Sequence, residues 1–372
     1  MAKYIYQHTN WTKFYWQDHA INTVFGEVRN LQGKIIGQMN TVGFSIKEEA
    51  NLSTLTLDVV KSSAIEGEQL NYDQVRSSIA RRLGMDVAGM TSSSRDVEGV
   101  VEMMLDATQY YMKPLTEERL FGWHSELFPT GYSGMYKIDV AKYRTGEMQI
   151  VSGAMGKEKI HYHAPAPQYV KSEMDNFLMW FNSENNLDPV LKAAIAHFWF
   201  IIIHPFDDGN GRIARAITDL LLARSDKSTD RFYSMSSQIL NEQKQYYAVL
   251  QKVQHSSGDI TEWLVWFLNC LKNALIETEK SLQKVLLKAE FWNIHEHTAI
   301  NERQRIVLNK LLGDFVGKLT TSKWAKMTKS SQDTALRDIY DLVDKNILEK
   351  ATSGGRSTHY FLRLNQKNDL KQ

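Results

Sequence analysis

Apolar residues recur at intervals of three to four positions along most of the chain, and this spacing predicts a mainly helical protein. Residues 11–70 are expected to form helices broken near Gly33 and Gly43. The last of them, residues 46–66, is amphipathic and stops at Gly67, a common helix-ending residue. Further helices are predicted at residues 72–83, 94–111, 116–128, 188–203, 212–225, 240–255 and 259–295.

The periodicity changes in one region of this helical body. Residues 143–151 and 159–163 alternate between apolar and polar positions, as strands do, and residues 152–157 between them contain two glycines. We therefore predict an all-α fold into which a small β-hairpin is inserted.

The C-terminal region differs in charge from the rest of the chain. From Asn301 onward there are 14 Lys and Arg against 8 Asp and Glu, a net +6, which leaves 30 against 35, or −5, before it. We expect a domain boundary near residue 298. Helices are predicted at 302–312, 321–327 and 331–346, and strands at 347–351 and 358–364 around Ser353-Gly354-Gly355. Three helices and a hairpin predict a winged helix-turn-helix.

Composition narrows the class of protein. With 372 residues, 43% hydrophobic and 23% charged, the chain has ordinary globular values and room for two or three domains. Its overall charge of +1 excludes a field that would gather DNA or anionic lipid without a local patch.

Location is indicated by cysteine use and by the longest apolar run. Cys270 is the single cysteine, so no internal disulfide can form, and its apolar helical surroundings predict a buried, unreactive thiol. The purest apolar run, residues 193–203, has 11 residues, whereas a membrane helix needs about 20. Residues 1–11 lack the pattern of a signal peptide. We expect a cytoplasmic protein with no membrane partner.

Candidate chemistry lies after the helix predicted at 188–203. Gly209, Asn210 and Gly211 precede a helix, so their backbone N–H groups and the helix dipole can hold an anion such as phosphate. Arg212 and Arg215 are three apart, which places both guanidiniums on one helix face above that anion site.

Two further residues complete this set. Asp208 offers a hard oxygen ligand for Mg²⁺, and His204 can take a proton from an incoming hydroxyl. Phe206 is expected to plug the loop into the core. The alternative is a histidine satisfied by its neighbours beside a helix-capping turn. Six residue types coincide within 12 positions, which argues against that alternative.

The segment from His204 to Arg215, hereafter the signature segment, resembles the Fic-domain signature with every defined position filled. The surrounding layout resembles the family from about residue 62 to residue 268. The resemblance implies an all-helical Fic fold that transfers AMP from ATP to a protein hydroxyl. It suggests a helical region at 1–60, a catalytic domain at 61–298 and the winged helix-turn-helix at 299–372.

The resemblance also implies roles for particular residues. His204 would be the base, and Asp208 the Mg²⁺ ligand. Gly209, Asn210 and Gly211 would hold the α- and β-phosphates. Arg212 and Arg215 would bind the outer phosphates. Tyr246 and Tyr247 would line the adenine side. Gln254 departs from the asparagine expected near the adenine or ribose, so base recognition is less firmly implied.

A second motif precedes Gly67. Ser62 and Glu66 are four apart and share one helix face. With Gly67 they resemble the family's inhibitory motif, in which the glutamate would pair with Arg215 and occupy the space that the γ-phosphate requires. By itself the pattern is also that of an ordinary helix end.

Partners and rival functions follow from the remaining features. The hairpin could hold an extended target segment by strand addition. His161 and His163 face the same way on a strand, but no third metal ligand is evident. The tail could contact DNA through the following residues: Ser331, Gln332, Thr334, Arg337 and Arg356.

Three functions stay open: a self-inhibited protein adenylyltransferase, an enzyme that removes AMP with the same pocket, and a DNA-binding regulator whose Fic portion is a sensor. The tail charge of +6 is modest for DNA binding, and winged helices often bind proteins instead. A homo-oligomer is compatible with any of the three.

Overall fold

The computed structural model describes residues 3–85, 89–152, 159–184, 186–313, 315, 317–351 and 358–363. The chain forms two compact units, Met1–Thr278 and Glu279–Gln372. The predicted boundary near residue 298 falls inside the second unit, and the division into three functional domains stays a prediction.

Helices make up most of the first unit, as predicted. After a short 3₁₀ helix at Ile5–Gln7, the helices that begin in this unit are α1 Asp18–Met39, α2 Phe44–Ile65, α3 Tyr72–Arg82, α4 Arg95–Gln109, α5 Glu117–Leu127, α6 Pro167–Asn182, α7 Pro189–Ile203, α8 Asn210–Asp226, α9 Met235–Asn241, α10 Gln243–Val253 and α11 Thr261–Ile294. Among the described residues the strands here are β1 Tyr132–Ser133, β2 Tyr136–Lys137, β3 Gln149–Ser152 and β4 Lys159–His163. Helix α11 continues into the second unit.

Helices α7 and α8 form the centre of this unit. Residues 190–203 of α7 are all buried, and α8 buries nearly every residue from Asn210 to Ala223. Helix α7 starts where Asp188 accepts a hydrogen bond from the N–H of Val190 at 2.8 Å and Pro189 takes the first helical position. Burying such side chains stabilises the fold by about 1.5–3 kcal/mol each. The loop between the two helices is therefore held firmly at both ends.

The predicted helix break near Gly33 is wrong. Helix α1 runs through Gly33, whose cost of about 1 kcal/mol in a helix is offset by the buried apolar face of the same helix, including Val28 and Ile35. Residues 11–17 are not helical either. The backbone of Tyr15 instead pairs with Gly258 and Ile260. The break near Gly43 is confirmed, because Gly43 caps α2.

The hairpin is confirmed, but its first strand is shorter than predicted. Strands β3 and β4 are antiparallel, with Gln149 opposite His163, whereas residues 143–148 form no strand. There the N–H of Arg144 donates to Pro205 O at 2.9 Å, which takes this backbone away from the sheet. The predicted turn, residues 152–157, lies outside the described residues except for the backbone of Ser152.

Several elements were missed or merged by the sequence pattern. Helix α6 and the small β1–β2 hairpin were not predicted. The helix predicted at 240–255 covers the end of α9 and all of α10, which meet at Glu242, where φ is −108° and ψ is 23°. Apolar spacing alone does not separate two helices whose faces both point inward.

The second unit is small and has its own core. Its elements after α11 are α12 Glu302–Leu311, α13 Thr321–Thr328, α14 Gln332–Asp344, β5 Leu348–Lys350 and β6 Tyr360–Leu362. Trp324, Leu308 and Ile339 are fully buried in its centre. Strands β5 and β6 are antiparallel, and three helices followed by this hairpin are consistent with a winged helix.

The residues proposed for DNA contact lie mostly on α14. Ser331 caps this helix, and Gln332 and Arg337 are exposed beside the equally exposed Asp333. Ser353-Gly354-Gly355 and Arg356 lie outside the described residues. DNA contact therefore stays a prediction. Throughout the described part of the chain, no helix is both long and apolar enough to cross a membrane.

Candidate active site

His204 ends helix α7 in the left-handed conformation, with φ 50° and ψ 61°. Its N–H still donates to Phe200 O at 3.0 Å, so the residue closes the last helical turn while the chain leaves in a new direction. Positive φ is uncommon for residues other than glycine and is often found where function requires it. The signature segment therefore begins at a conformationally specialised position.

The imidazole of His204 is held as a neutral base. Its Nδ1 lies 3.3 Å from Ile201 O, and a carbonyl can only accept, so Nδ1 carries the proton and Nε2 is left with its lone pair. Burial, helped by the nearby Arg144 guanidinium, lowers the pKa of His204 to about 4. At neutral pH the residue can therefore take up a proton at Nε2.

Arg144 fixes the backbone around His204, a role that sequence reasoning did not assign. It is 2% exposed, and its guanidinium donates to His204 O at 2.8 Å and to Gly146 O at 2.9 Å. It also donates to Pro165 O at 2.5 Å, which lies just after β4. One buried cation thus joins the base to both ends of the hairpin.

The loop after His204 is closed by Asn210. The side-chain oxygen of Asn210 accepts from Phe206 N at 3.0 Å, and its amide donates to Phe206 O at 2.8 Å. Phe206 is fully buried, as expected of a plug. Gly209 has φ 81°, and a Cβ there would lie 2.9 Å from the ring of Phe128. Only glycine fits at position 209. The side chain of Asn210 is already hydrogen-bonded to Phe206, so Asn210 can bind an anion only through its backbone N–H.

Two neighbouring aspartates are placed differently. Asp207 accepts from the N–H of Asp139 at 2.9 Å and ties the loop to the segment after β2. Asp208 accepts from its neighbour Gly209 N at 2.5 Å and from the hydroxyl of Ser133. Within the described residues, no cation forms a salt bridge with Asp208. A half-buried carboxylate without a cationic partner, next to an anion site, fits one ligand of a phosphate-bound Mg²⁺.

His124 also holds this loop in place, and it was not identified from the sequence. It is fully buried and stacks on Phe206 with ring centroids 4.3 Å apart. Its Nδ1 accepts from Ala141 N at 3.2 Å, so its Nε2 donates to Asp208 O at 3.2 Å. Burial lowers the pKa of His124 to about 4, which keeps the ring in this neutral form. A histidine within an amphipathic helix gives no sequence signal for this role.

We expect His124 to make the fold sensitive to acid. Because its pKa is about 4 in the folded protein and near 6.5 unfolded, the unfolded chain takes up the proton first as pH falls through that window. Stability is lost below pH 6.5, by about 2 kcal/mol at pH 5. Denaturant unfolding of wild type and His124→Gln between pH 7.5 and 5 should show a smaller loss in the variant. Equal losses in both proteins would contradict this.

Arg215 is bound by the end of helix α2. It is 1% exposed, its Nε donates to Ser62 Oγ at 2.8 Å, and its Nη2 donates to Ser62 O at 2.9 Å and Glu66 Oε1 at 2.8 Å. Ser62 and Glu66 therefore meet the arginine together, as the motif spacing predicted. Helix α10 supports this end of α2 through Gln243, which donates to Ile65 O at 2.9 Å.

The Glu66 carboxylate also reaches the start of α8. A Cβ added to Gly211 would lie 2.0 Å from Glu66 Oε1, so the carboxylate rests directly against this backbone. The N-terminus of a helix attracts anions through its free N–H groups and its dipole. A side-chain carboxylate therefore lies where the signature segment is expected to hold phosphate.

Arg212, the other signature arginine, has an acidic partner as well. Its Nη1 donates to Glu68 Oε2 at 2.6 Å, and its guanidinium lies over the ring of Phe128. Glu68 was not identified from the sequence. Burial raises the pKa of Glu68, while the adjacent Arg212 opposes that rise. Both signature arginines are thus paired with carboxylates from the end of α2 and the turn after it.

The residues assigned to the adenine side are placed differently from one another. Tyr246 is 2% exposed, and its hydroxyl lies 2.9 Å from Nε2 of His197 in the core. Tyr247 is 45% exposed. Gln254 is buried and donates to His161 O at 2.9 Å, so it connects the end of α10 to β4. Tyr247 is the residue of this group that keeps a surface available to a ligand.

The described residues contain no group of three or more metal-binding side chains. His161 and His163 therefore acquire no third partner of that kind within the described chain. Cys270 is buried, and burial raises the pKa of its thiol well above the usual value, as expected for an unreactive cysteine.

Comparison with known families matches two parts of the chain. Residues 114–222 match the Fic/DOC family, and residues 4–85 match a domain of unknown function, DUF4172. Among curated relatives, protein adenylyltransferase fic-1 of Caenorhabditis briggsae is 31% identical over 182 residues, which cover 46% of this chain and 32% of the relative. Protein adenylyltransferase Fic of Drosophila grimshawi is 34% identical over 230 residues, or 58% of this chain and 41% of the relative. The chain spans less than half the length of these relatives.

Solved structures agree on the fold. A Fic family protein from Desulfovibrio desulfuricans superposes with a TM-score of 0.54 at 21% identity, covering 92% of this chain and 96% of that one. A Fic domain containing signaling protein from Bacteroides thetaiotaomicron gives a TM-score of 0.50 at 20% identity, over 71% and 97% of the two chains. This chain therefore carries an N-terminal DUF4172 region followed in sequence by a Fic/DOC family domain with the Fic fold, and it is distantly related to protein adenylyltransferases.

Proposed function

We propose that this protein transfers AMP from ATP to a hydroxyl side chain of a target protein, which can be a second copy of itself. We also propose that Glu66 inhibits this transfer. The observation that carries the proposal is the position of the Glu66 carboxylate, which contacts Arg215 and the backbone of Gly211 at the start of α8. The free N–H groups and the dipole at a helix N-terminus favour a negative charge at this position. Phosphate is the anion that the signature segment suits best.

The proposed reaction uses groups that the site already orients. The target hydroxyl loses its proton to Nε2 of His204, and its oxygen forms a bond to the α-phosphorus. The bond from that phosphorus to the oxygen bridging to the β-phosphate breaks, and pyrophosphate leaves with the electron pair. Arg212 and Arg215 would offset the charge of the departing group. The adenylated target, pyrophosphate and the proton on His204 together account for every atom of ATP and the hydroxyl.

Mg²⁺ would be held by Asp208 together with phosphate oxygens and would neutralise negative charge on them when bound. Asp208 suits this role because its carboxylate has no salt bridge within the described residues. Asp207 forms no salt bridge among those residues either, but its carboxylate ties the loop to the backbone of Asp139, and the resemblance assigns the metal to Asp208. Ser133 donates to Asp208 and would keep that carboxylate oriented.

The target would be aligned by the β3–β4 hairpin. This hairpin has two strands, so it can pair with an added strand, and Arg144 connects its ends to the base. Such pairing relies on backbone hydrogen bonds and so brings a target hydroxyl near His204 with little dependence on target sequence.

Asp208→Ala should abolish metal-dependent transfer, because no carboxylate in the signature segment except Asp207 could replace it, and Asp207 is bonded to the backbone of Asp139. Asp207→Asn keeps an oxygen for Asp139 and is the matched comparison. It should retain a Mg²⁺ dependence close to that of wild type. Activity measured against Mg²⁺ concentration separates the two. An unchanged titration for Asp208→Ala would show that this aspartate is not the ligand.

Labelled nucleotides test the reaction itself. ATP labelled at the α-phosphate should leave label on protein, whereas ATP labelled at the γ-phosphate should not. Both labels are followed on the protein itself and on lysate proteins after removal of free nucleotide. Label from the γ-phosphate alone would mean phosphate transfer and would contradict the proposal.

A further inference from the structure

A second carboxylate enters the phosphate site just beyond the inhibitory helix. Helix α2 ends at Ile65 and is followed by Gly67, whose φ of 87° lets its N–H bond to Ala64 O at 3.1 Å and that of Glu68 bond to Ser63 O at 3.0 Å. This left-handed cap reverses the chain. Glu66 and Glu68 consequently both face α8, one on Arg215 and the other on Arg212.

Arg212 is a buried guanidinium whose hydrogen-bonding capacity is only partly used. It is 3% exposed, and only Glu68 forms a salt bridge with it within the described residues. Its Nε has no hydrogen-bond partner there. A buried guanidinium with an unused donor favours whichever anion can fill the site most completely. A polyphosphate offers more acceptor oxygens than one carboxylate.

Glu68 can leave Arg212 more easily than Glu66 can leave Arg215. The side chain of Glu68 is 46% exposed, against 33% for Glu66, and it lies beyond the cap of α2, whereas Glu66 is the cap residue itself. It can therefore turn into solvent without unwinding α2. Burial raises the pKa of Glu68, and the like charges of Asp208 and Glu66 add to that rise while Arg212 opposes it, so the charged carboxylate is stabilised only in part by its ion pair.

We propose that Glu68 is a second inhibitory carboxylate, which competes with the outer phosphates of the nucleotide for Arg212. The inference rests on the proposed function, because that function assigns Arg212 to the outer phosphates. The two carboxylates then act differently. Glu66, against Gly211 and Arg215, blocks the productive placement of the phosphates. Glu68 instead weakens the binding of any ligand that carries an outer phosphate.

Glu68→Gln tests this by calorimetry with three probes: ATP, pyrophosphate and AMP. Removal of the competing charge should tighten ATP and pyrophosphate by about 5- to 10-fold and change AMP by less than about 2-fold. Glu27→Gln is the matched control. Glu27, on α1, is a half-exposed carboxylate that pairs with Lys272, and its substitution removes the same charge. It should change none of the three affinities. The gain should persist when Glu68→Gln is combined with Glu66→Gln.

Two results would overturn the inference: unchanged pyrophosphate affinity in both backgrounds, or an equal gain for AMP, which would indicate a general charge effect. Binding is measured without turnover, so the proposed function can fail separately. If no variant transfers AMP while the selective gain for ATP and pyrophosphate is present, Glu68 still competes for Arg212 and the enzymatic proposal is wrong.

Discussion

Glu66→Gly should increase AMP transfer by about 10- to 100-fold. Its carboxylate bonds to the buried Arg215 at 2.8 Å, and a hydrogen bond between charged groups contributes about 1.5–3 kcal/mol. A guanidinium pairs with either a carboxylate or a phosphate, so the Glu66 carboxylate and the γ-phosphate must compete for Arg215. Removal of the carboxylate frees both Arg215 and the backbone at Gly211. Transfer of labelled AMP to the protein and to lysate proteins measures the gain.

The increase should appear in kcat more than in nucleotide affinity, because the inhibited protein can still hold the adenine and some phosphates. Glu66→Gln and Glu66→Ala are the companions, since glycine weakens a helix end by up to about 1 kcal/mol. All three should be faster than wild type. No acceleration in any of them would show that Glu66 is not inhibitory. More AMP remaining on a modified target, without faster transfer, would favour the AMP-removing enzyme.

His204→Ala should lower AMP transfer by about 10²- to 10⁴-fold while leaving ATP affinity nearly unchanged. The imidazole is oriented through Nδ1 toward Ile201 O, so its function is to receive a proton at Nε2 rather than to bind phosphate. The measurement is transfer in the Glu66→Gly background, where activity is high enough to quantify a large loss.

His204→Asn is the matched variant, because asparagine tolerates the left-handed backbone at this position better than alanine does. It should be as inactive as alanine and as stable as the parent protein. Transfer at the parental rate by either variant would exclude His204 as the base. Loss of ATP binding in both would mean that the histidine organises the pocket.

The contiguous part of the site could be predicted from sequence. His204 to Arg215 are held in one loop and the first turns of α8, so their order along the chain largely determines their arrangement in space. The pairing of Glu66 with Arg215 is expected only from the resemblance to the family's inhibitory motif, since the spacing of four by itself places Ser62 and Glu66 on one face of α2 and names no partner.

Residues that act across the fold could not be predicted in this way. Arg144 and His124 each bond to backbone atoms of the signature segment from elements far away in sequence. Glu68 reaches Arg212 only because Gly67 turns the chain back. The strand predicted at 143–151 begins only at Gln149 for the same reason, since the backbone of Arg144 bonds to Pro205 instead of a neighbouring strand.

Intact-protein mass spectrometry tests the central claim most directly. Glu66→Gly is incubated with ATP and Mg²⁺, alone and with lysate proteins, beside the double variant Glu66→Gly/His204→Ala. The account predicts a mass increase of one or more adenylates in the first sample, on the protein or on a target, and none in the second. No adenylate in either sample, or equal amounts in both, would contradict AMP transfer by His204 at this site.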